Sequence, residues 1–373
     1  MSGGPTRDAR PADPPEVMPP PPPTDPEDSE VPPEQVSIGG RLRQRRTIIS
    51  IAVPTVIILV FVYLNRTDLA RVPNLLLSAS PALILLAFAT HYLGFPLRGY
   101  RWASLLRGTG VRIATRDSTE ILFLSWLVNC VVPAKLGDVY RAYLLKINST
   151  VSLSRTFGTV FVERVLDLFA IALLGLAAGF WSFRNGLPAA IQVIFAIGVF
   201  VMGLLVVGMF TMRNFGRRII VALPLPHRVL ELYDRFEEGV FSAMGLRALP
   251  RLAFLTGLIW ATESMRLFFV VQALGFDDVS LGLSGVVFVA LIGSLLTAVP
   301  LAPAGLGVVE LGVGSVPTIA YGIPVPEATA IVLLDRLISV FSVIVLGSIA
   351  YALSNKPRGG ARVAEETAVA GPA

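Results

Sequence analysis

The residues able to do chemistry here are ionisable side chains set in sequence apolar enough for a bilayer. Lys135, Asp138 and Arg141 follow the run ILFLSWLVNCVVP, and Glu163, Arg164 and Asp167 stand in FVERVLDLFAIALLGLAAG. Glu263 and Arg266, then Glu310, then Asp335 and Arg336 recur later in similar surroundings. A charged side chain at membrane depth costs about 2.5–3.5 kcal/mol on insertion scales, so a chain that keeps several of both signs is expected to use them. Two uses fit these residue types. Acids and arginines can neutralise one another around a cavity that takes an anionic headgroup or couples to protons, or they can staple helices together. Both stay open from the residues alone, although desolvation of a buried pair can exceed its Coulomb gain.

Spacing narrows the geometry. Glu163 and Asp167 are four apart and Arg164 is three from Asp167, which puts all three on one helix face. Glu263 and Arg266 share the three-residue spacing, whereas the adjacent Asp335 and Arg336 point in different directions. Two backbone breaks flank these clusters: Pro133-Ala134-Lys135-Leu136-Gly137-Asp138 and Pro303-Ala304-Gly305-Leu306-Gly307. Irregular backbone at membrane depth is tolerated only where protein buries it or water reaches it. Pro133, Gly137, Pro303, Gly305 and Gly307 are therefore the candidate structural breaks, with plain packing as the alternative role for the glycines. Half-helix N-termini beside such breaks carry N–H groups suited to a phosphate or carboxylate. The candidate substrate-binding set is Lys135, Asp138, Arg141, Glu163, Arg164, Asp167, Glu310, Asp335 and Arg336.

Composition excludes other chemistries. Of 373 residues, 54% are hydrophobic and only 15% charged, where a soluble domain is nearer a quarter charged. Long apolar runs without strand-like alternation point to helices rather than a β-barrel. A lone Cys130 and the two histidines His91 and His227 leave no metal site to expect. P-loop, G-x-S-x-G and H-E-x-x-H motifs are missing, so neither a catalytic residue nor a cofactor is expected, and the chain reads as a non-enzyme.

The elements that must hold the charged residues follow from hydropathy and positive charge. Residues 1–46 form a proline-rich, acidic tail ending in a basic anchor of Arg41, Arg43, Arg45 and Arg46, and no cleavable signal peptide is expected. Spans are expected at 47–64, 74–97, 157–181, 187–212, 252–274 and 326–353, with Arg98 and Arg101 counted among cytoplasmic charges after the second. The stretches 118–146 and 283–321 are too short or too interrupted for a simple crossing and read as re-entrant hairpins or half-spans. Residues 227–244 repeat apolar side chains at spacings of three and four, for a helix on the membrane surface or against the bundle. The expected fold is an all-α polytopic membrane protein with about six full spans plus two re-entrant or broken segments. Its membrane domain occupies 47–353, a short disordered tail follows at 354–373, and both termini are cytoplasmic at the cell membrane.

The two halves resemble each other. Glu163 to Phe169 lies over Asp335 to Phe341 without a gap, and Val132-Pro133 over Val299-Pro300 with about five extra residues in the second copy. The expected topology inserts the copies from opposite sides, which makes an inverted-topology repeat.

N-x-x-V-P-A-K-x-G-D-x-Y-R from Asn129, E-R-x-x-D from Glu163, P-A-G-L-G-x-x-E from Pro303 and the late Asp335-Arg336 together resemble the transmembrane region of lysylphosphatidylglycerol synthases. The likeness covers about residues 45–353, and stand-alone members are called flippase-like domain proteins. It implies a lipid flippase that moves a phosphate-bearing lipid, a phospholipid or a polyprenyl-phosphate-linked one. The soluble aminoacyl-transferase domain of two-domain members is not expected here. Membrane lipids are the expected partners, with a separate lipid-modifying or glycosyltransferase enzyme and a homo-oligomer as further candidates, and no nucleic acid. The alternative role is a membrane scaffold for an envelope-synthesis or lipid-synthesis enzyme.

Overall fold

A computed structural model describes residues 59–132, 135–149, 151–182, 216–223, 227–245, 247–276, 281–298 and 303–354, with isolated residues in 52–56 and 192–211. Their regular structure is helical throughout. After short helices at Arg66–Leu69 and Val72–Leu77 come α1 (Pro81–Gly108), α2 (Thr115–Val131), α3 (Leu136–Asn148) and α4 (Leu153–Ser182). A short helix, Arg217–Ala222, precedes α5 (His227–Ala243) and α6 (Leu249–Leu274). Last come α7 (Leu283–Ala298), α8 (Val308–Tyr321) and α9 (Val325–Leu353), the last carrying a π-turn at Leu337–Phe341.

Three described helices, α1, α6 and α9, are long and apolar enough to cross a membrane. α4 is longer, at 30 residues, and carries Glu163, Arg164 and Asp167 along its length. Large apolar side chains such as Leu173, Phe180, Phe254 and Phe341 stand exposed on these helices, as a hydrocarbon solvent requires. Half of the span expected at 47–64, most of that at 187–212, the whole of the 1–46 tail and the 354–373 tail beyond Ser354 fall outside the described residues.

The second expected span is displaced. Its helix begins at Pro81, not near Asn74, because proline at the first helical position starts a helix cleanly after Ser78-Ala79-Ser80. Ser80 N–H donates to the Ala273 carbonyl (2.8 Å), which ties this start to the end of α6. The shift carries Arg98 and Arg101 off the expected cytoplasmic loop and into the interior of α1.

Each interrupted stretch is an antiparallel pair of short helices. In α7–α8, Gly285 faces Tyr321, Gly293 faces Val313 and Leu296 faces Gly312, contacts that advance along one helix as they retreat along the other. In α2–α3, Ile121, Leu124 and Val128 pack with Tyr140, Leu144 and Leu145 and with Trp102 and Leu106 of α1. A Cβ on Gly137 would lie 2.0 Å from the Ser125 carbonyl oxygen, so only glycine fits that crossing. Each half thus runs long helix, short helix, break, short helix, long helix. The first short helix of each half leans on the other half: Leu127 of α2 meets Gly347 of α9, and Leu291 of α7 packs with Ile171 of α4.

α5 packs on the bundle. Gly239 of α5 meets the backbone at Arg155 and Gly158 of α4 meets that at Phe236, while the Phe161 and Phe236 rings stand edge to face at 5.7 Å. Phe236, Val240 and Ala243 of its apolar face pack with Leu105 of α1 and with Phe161, Val162 and Val165 of α4, the second of the two placements its periodicity allowed, while Phe241 stays exposed.

Candidate functional site

Helix α4 is where the first charges meet. Asp167 accepts from Arg101 of α1 (Nη1–Oδ1 2.6 Å, Nη2–Oδ2 3.2 Å), and Arg101 Nη1 also donates to Thr256 Oγ1 of α6 (2.9 Å). Glu163 lies 3.6 Å from Arg101 and accepts from Arg141 of α3 at 3.2 Å. Arg141 lies 3.7 Å from Asp138, which accepts from Arg164 at 2.8 Å, and Arg164 lies 3.7 Å from Asp167. These contacts close a ring of three arginines and three carboxylates in strict alternation: Arg101, Glu163, Arg141, Asp138, Arg164, Asp167.

The ring is sealed on one side and open on the other. Arg101 and Arg141 side chains are 1% exposed, whereas that of Arg164 is 39% exposed. Arg141 stacks over the Trp102 ring (4.9 Å), and Trp260 Nε1 donates to Asp167 Oδ1 (3.3 Å), so aromatic walls close the inner side. Such walls strengthen each pair by excluding water, and they also make an unpaired member costly.

The second half carries a shorter network. Arg98 of α1 donates to Glu263 of α6 (2.7 Å), and Glu263 also pairs with Arg266. Arg266 donates to Asp335 of α9 (2.8 Å) and to His91 Nδ1 (3.1 Å), which fixes the His91 tautomer with its proton on Nε2. Arg336 pairs with Glu310 of α8 (3.0 Å) and donates to the Ala304 carbonyl (3.2 Å). The arginine of each acid–Arg pair thus holds an acid in the first turn of the helix after the break: Asp138 for Arg164, Glu310 for Arg336.

The N–H groups at the starts of the helices after the breaks already have side-chain partners. Gly307 N–H donates to Glu310 Oε2 (2.6 Å) and Gly137 N–H to Asn129 Oδ1 (2.8 Å), so part of the expected anion cradle is already filled by the chain itself. A carboxylate in a helix's first turn is favoured by the same partial positive charge.

Of the expected residues, Asp138, Arg141, Glu163, Arg164 and Asp167 come together in the ring. Asp335 joins the second network, and Arg336 with Glu310 forms a pair of its own. Gly137, Pro303, Gly305 and Gly307 lie at the breaks, Pro303 opening a single 3-10 turn; Pro133 lies outside the described residues. Lys135 stands within electrostatic reach of Arg164, Asp138 and Asp167. Its backbone is left-handed (φ 52°, ψ 37°), a conformation that costs a residue with a Cβ about 1–2 kcal/mol. In the second P-A-x-L-G motif the same place is Gly305, also left-handed at φ 70°. Arg98, Arg101 and His91 were missed. The available signal was Arg98-x-x-Arg101 at the spacing of Glu263-x-x-Arg266, each on the long helix that opens its half.

A profile of the lysylphosphatidylglycerol synthase transmembrane region matches residues 47–347. The chain belongs to this family. This lysylphosphatidylglycerol synthase transmembrane-region protein is 37% identical over 226 residues to a UPF0104 membrane protein of Methanocaldococcus jannaschii, covering 60% of this chain and 92% of the relative. It is 30% identical over 309 residues to the glycosyltransferase AglD of Haloferax volcanii, covering 74% of this chain but 49% of AglD. A UPF0104 membrane protein of Methanothermobacter thermautotrophicus is 26% identical over 300 residues, 74% of this chain and 87% of the relative. It is a multi-pass membrane protein, in accord with its helices.

Proposed function

We propose that this protein moves a phosphate-bearing lipid, a phospholipid or a polyprenyl-phosphate-linked lipid, between the leaflets of the cell membrane, with both termini cytoplasmic. The observation that carries this reading is the alternating ring, sealed by Trp102 and Trp260 inside and opening at Arg164. A phosphate that reaches Arg164 can replace Asp138 as its partner, since guanidinium binds both anions through the same planar fork. Neutral pairs that exchange partners lower the cost of carrying a charge through a hydrocarbon medium, where an isolated charge is expensive. The element order shared by the halves, and the way each leans on the other, support an inverted repeat in which the halves rock about the α1–α6 contact.

The test is a leaflet-sidedness assay in proteoliposomes with wild-type protein and Arg164→Ala. Wild type should redistribute labelled lipid faster than empty vesicles, and the variant should fall to the empty-vesicle rate. Wild-type movement no faster than empty vesicles, for phospholipids and polyprenyl phosphates alike, overturns the reading.

A second reading is favoured by the relative named as a glycosyltransferase: a membrane partner of a lipid-glycosylating enzyme, with stapling ion pairs. The two readings part on the charge-neutralised double variant Asp138→Asn with Arg164→Gln, which removes one facing pair and leaves the rest of the ring balanced. A stapling role tolerates it in a cell-growth assay; a headgroup path does not.

A further inference from the structure

We propose that Asp335 is a proton-binding site and the π-turn of α9 the hinge that its proton releases, so that lipid movement draws on a proton gradient. The inference rests on the translocase reading and names its energy source.

The two halves differ at one place. Where Asp167 closes the ring of the first half, the gapless overlay of the halves puts Ser339 in the second. The second network is therefore an open chain, running from Arg98 through Glu263 and Arg266 to Asp335 at its free end. Each ring carboxylate faces two arginines, and so does Glu263. Asp335 faces one, Arg266, at 2.8 and 3.3 Å, and its side chain is 16% exposed. Glu310 also faces one, but it accepts the Gly307 N–H as well. A proton on Asp335 thus displaces the fewest of the contacts that favour a carboxylate. Arg266 stays held when that proton arrives, by Glu263 and by His91 Nδ1. His91 is not free to take it, since Nδ1 accepts from Arg266 and Nε2 already carries hydrogen. The other titratable or charged neighbours are Tyr92 and Arg98 of α1, Arg336 of α9 itself, and Cys130 of α2 within electrostatic reach of Arg336. The short helix Arg66–Leu69, packed on α9, adds Arg66 and Asp68.

The backbone supplies an independent observation. The π-turn Leu337–Phe341 begins two residues after Asp335, whereas α4 passes the matching place as unbroken α-helix. Such turns recur at functional sites and mark where helices bend. Adjacent residues of α1 hold its two sides. Before the turn, His91 reaches Asp335 through Arg266. After it, Tyr92 Oη lies 2.7 Å from Ser342 Oγ, which itself donates to the Ile338 carbonyl inside the turn (2.5 Å). The first hold is ionic and the second neutral, so a proton weakens only the first. One O–H bond forms on Asp335, the network's charge rises from zero to plus one, and both changes reverse when the proton leaves. A lone charge is expensive in hydrocarbon, so proton and lipid anion cross together as a neutral pair.

Two measurements on the full chain test this. Infrared difference spectra between neutral and mildly acidic buffer should show a protonated-carboxyl band that shifts with isotope-labelled aspartate. Asp335→Asn should lose that band, and Asp335→Glu should keep one that ignores the label. In proteoliposomes with the membrane potential clamped by an ionophore, the probes are labelled phosphatidylglycerol and a polyprenyl-phosphate-linked monosaccharide. A gradient of about one pH unit should drive at least one of them to a roughly tenfold leaflet ratio, at one proton per lipid. An entrapped pH dye should report lipid-dependent proton entry. Asp335→Asn should lose both the gradient response and the proton entry. A wild type without the label-sensitive band, or lipid movement that ignores the gradient, overturns the proposal, as does an Asp335→Asn variant that keeps the response. The band with no lipid movement under any condition sinks the translocation and leaves the proton site standing.

Discussion

Arg101 holds Asp167 through two hydrogen bonds, reaches Thr256, and lies within ion-pair distance of Glu163, all at 1% side-chain exposure. Its replacement by alanine leaves two carboxylates with one fewer cation in a sealed setting. Breaking a buried pair from one side costs about 3–5 kcal/mol, mostly as the penalty of the charge left behind. Arg101→Ala should therefore melt far below wild type in a detergent thermal-shift measurement. Arg101→Gln combined with Asp167→Asn should recover much of that loss, because it removes charge from both sides. A double variant as unstable as Arg101→Ala would assign the cost to lost packing instead.

Between elements, the α4–α5 contact sets backbone exclusion against surface charge. A Cβ on Gly239 would sit 2.3 Å from the Arg155 carbonyl oxygen, and one on Gly158 2.5 Å from that of Phe236. Arg155 also pairs with Glu238 across the same contact at 2.6 Å, with half of the Glu238 side chain exposed. Overpacking costs about 1–3 kcal/mol, and an exposed ion pair is worth about 0–1 kcal/mol. Gly239→Val should lower the melting temperature and release α5 to limited proteolysis, while Glu238→Gln should change neither measurably. The periodicity of α5 was legible in sequence because one face is apolar at helical spacing. Its docking on α4 and α1 was not, since a stripe suits a lipid surface and a neighbouring helix equally well.

For the whole molecule, the reciprocal leaning of α2 on α9 and of α7 on α4 makes each half a wall for the other. If the halves rock, locking one such contact stops them. Position 347 is open to this test: a Cβ there would lie 3.0 Å from that of Leu127, close enough for a disulfide after slight relaxation. In a Cys130→Ser background, Leu127→Cys with Gly347→Cys should cross-link on oxidation and halt lipid movement in proteoliposomes, with recovery on reduction. Undiminished movement in the fully cross-linked protein would exclude rocking at this contact.

The helical membrane class, the two breaks and the acid–Arg pairs were readable from the chain, because hydropathy, proline and glycine, and charge in apolar sequence act locally. Glu163, Arg164 and Asp167 were placed on one face by helical period alone. Tertiary structure decided their partners. Arg98 and Arg101 read as topology-setting charges at a span end, since the sequence does not say that the helix starts at Pro81 and runs on to Gly108. Once it does, Arg101 meets Asp167 and Arg98 meets Glu263, residues far along the chain that only packing brings within reach. Likewise the sequence lists Asp138, Arg141, Glu163, Arg164 and Asp167 as charges of both signs. Their strict alternation with Arg101 around a ring emerges only in space, because neutralisation is a property of distances of a few ångströms and not of order along a chain.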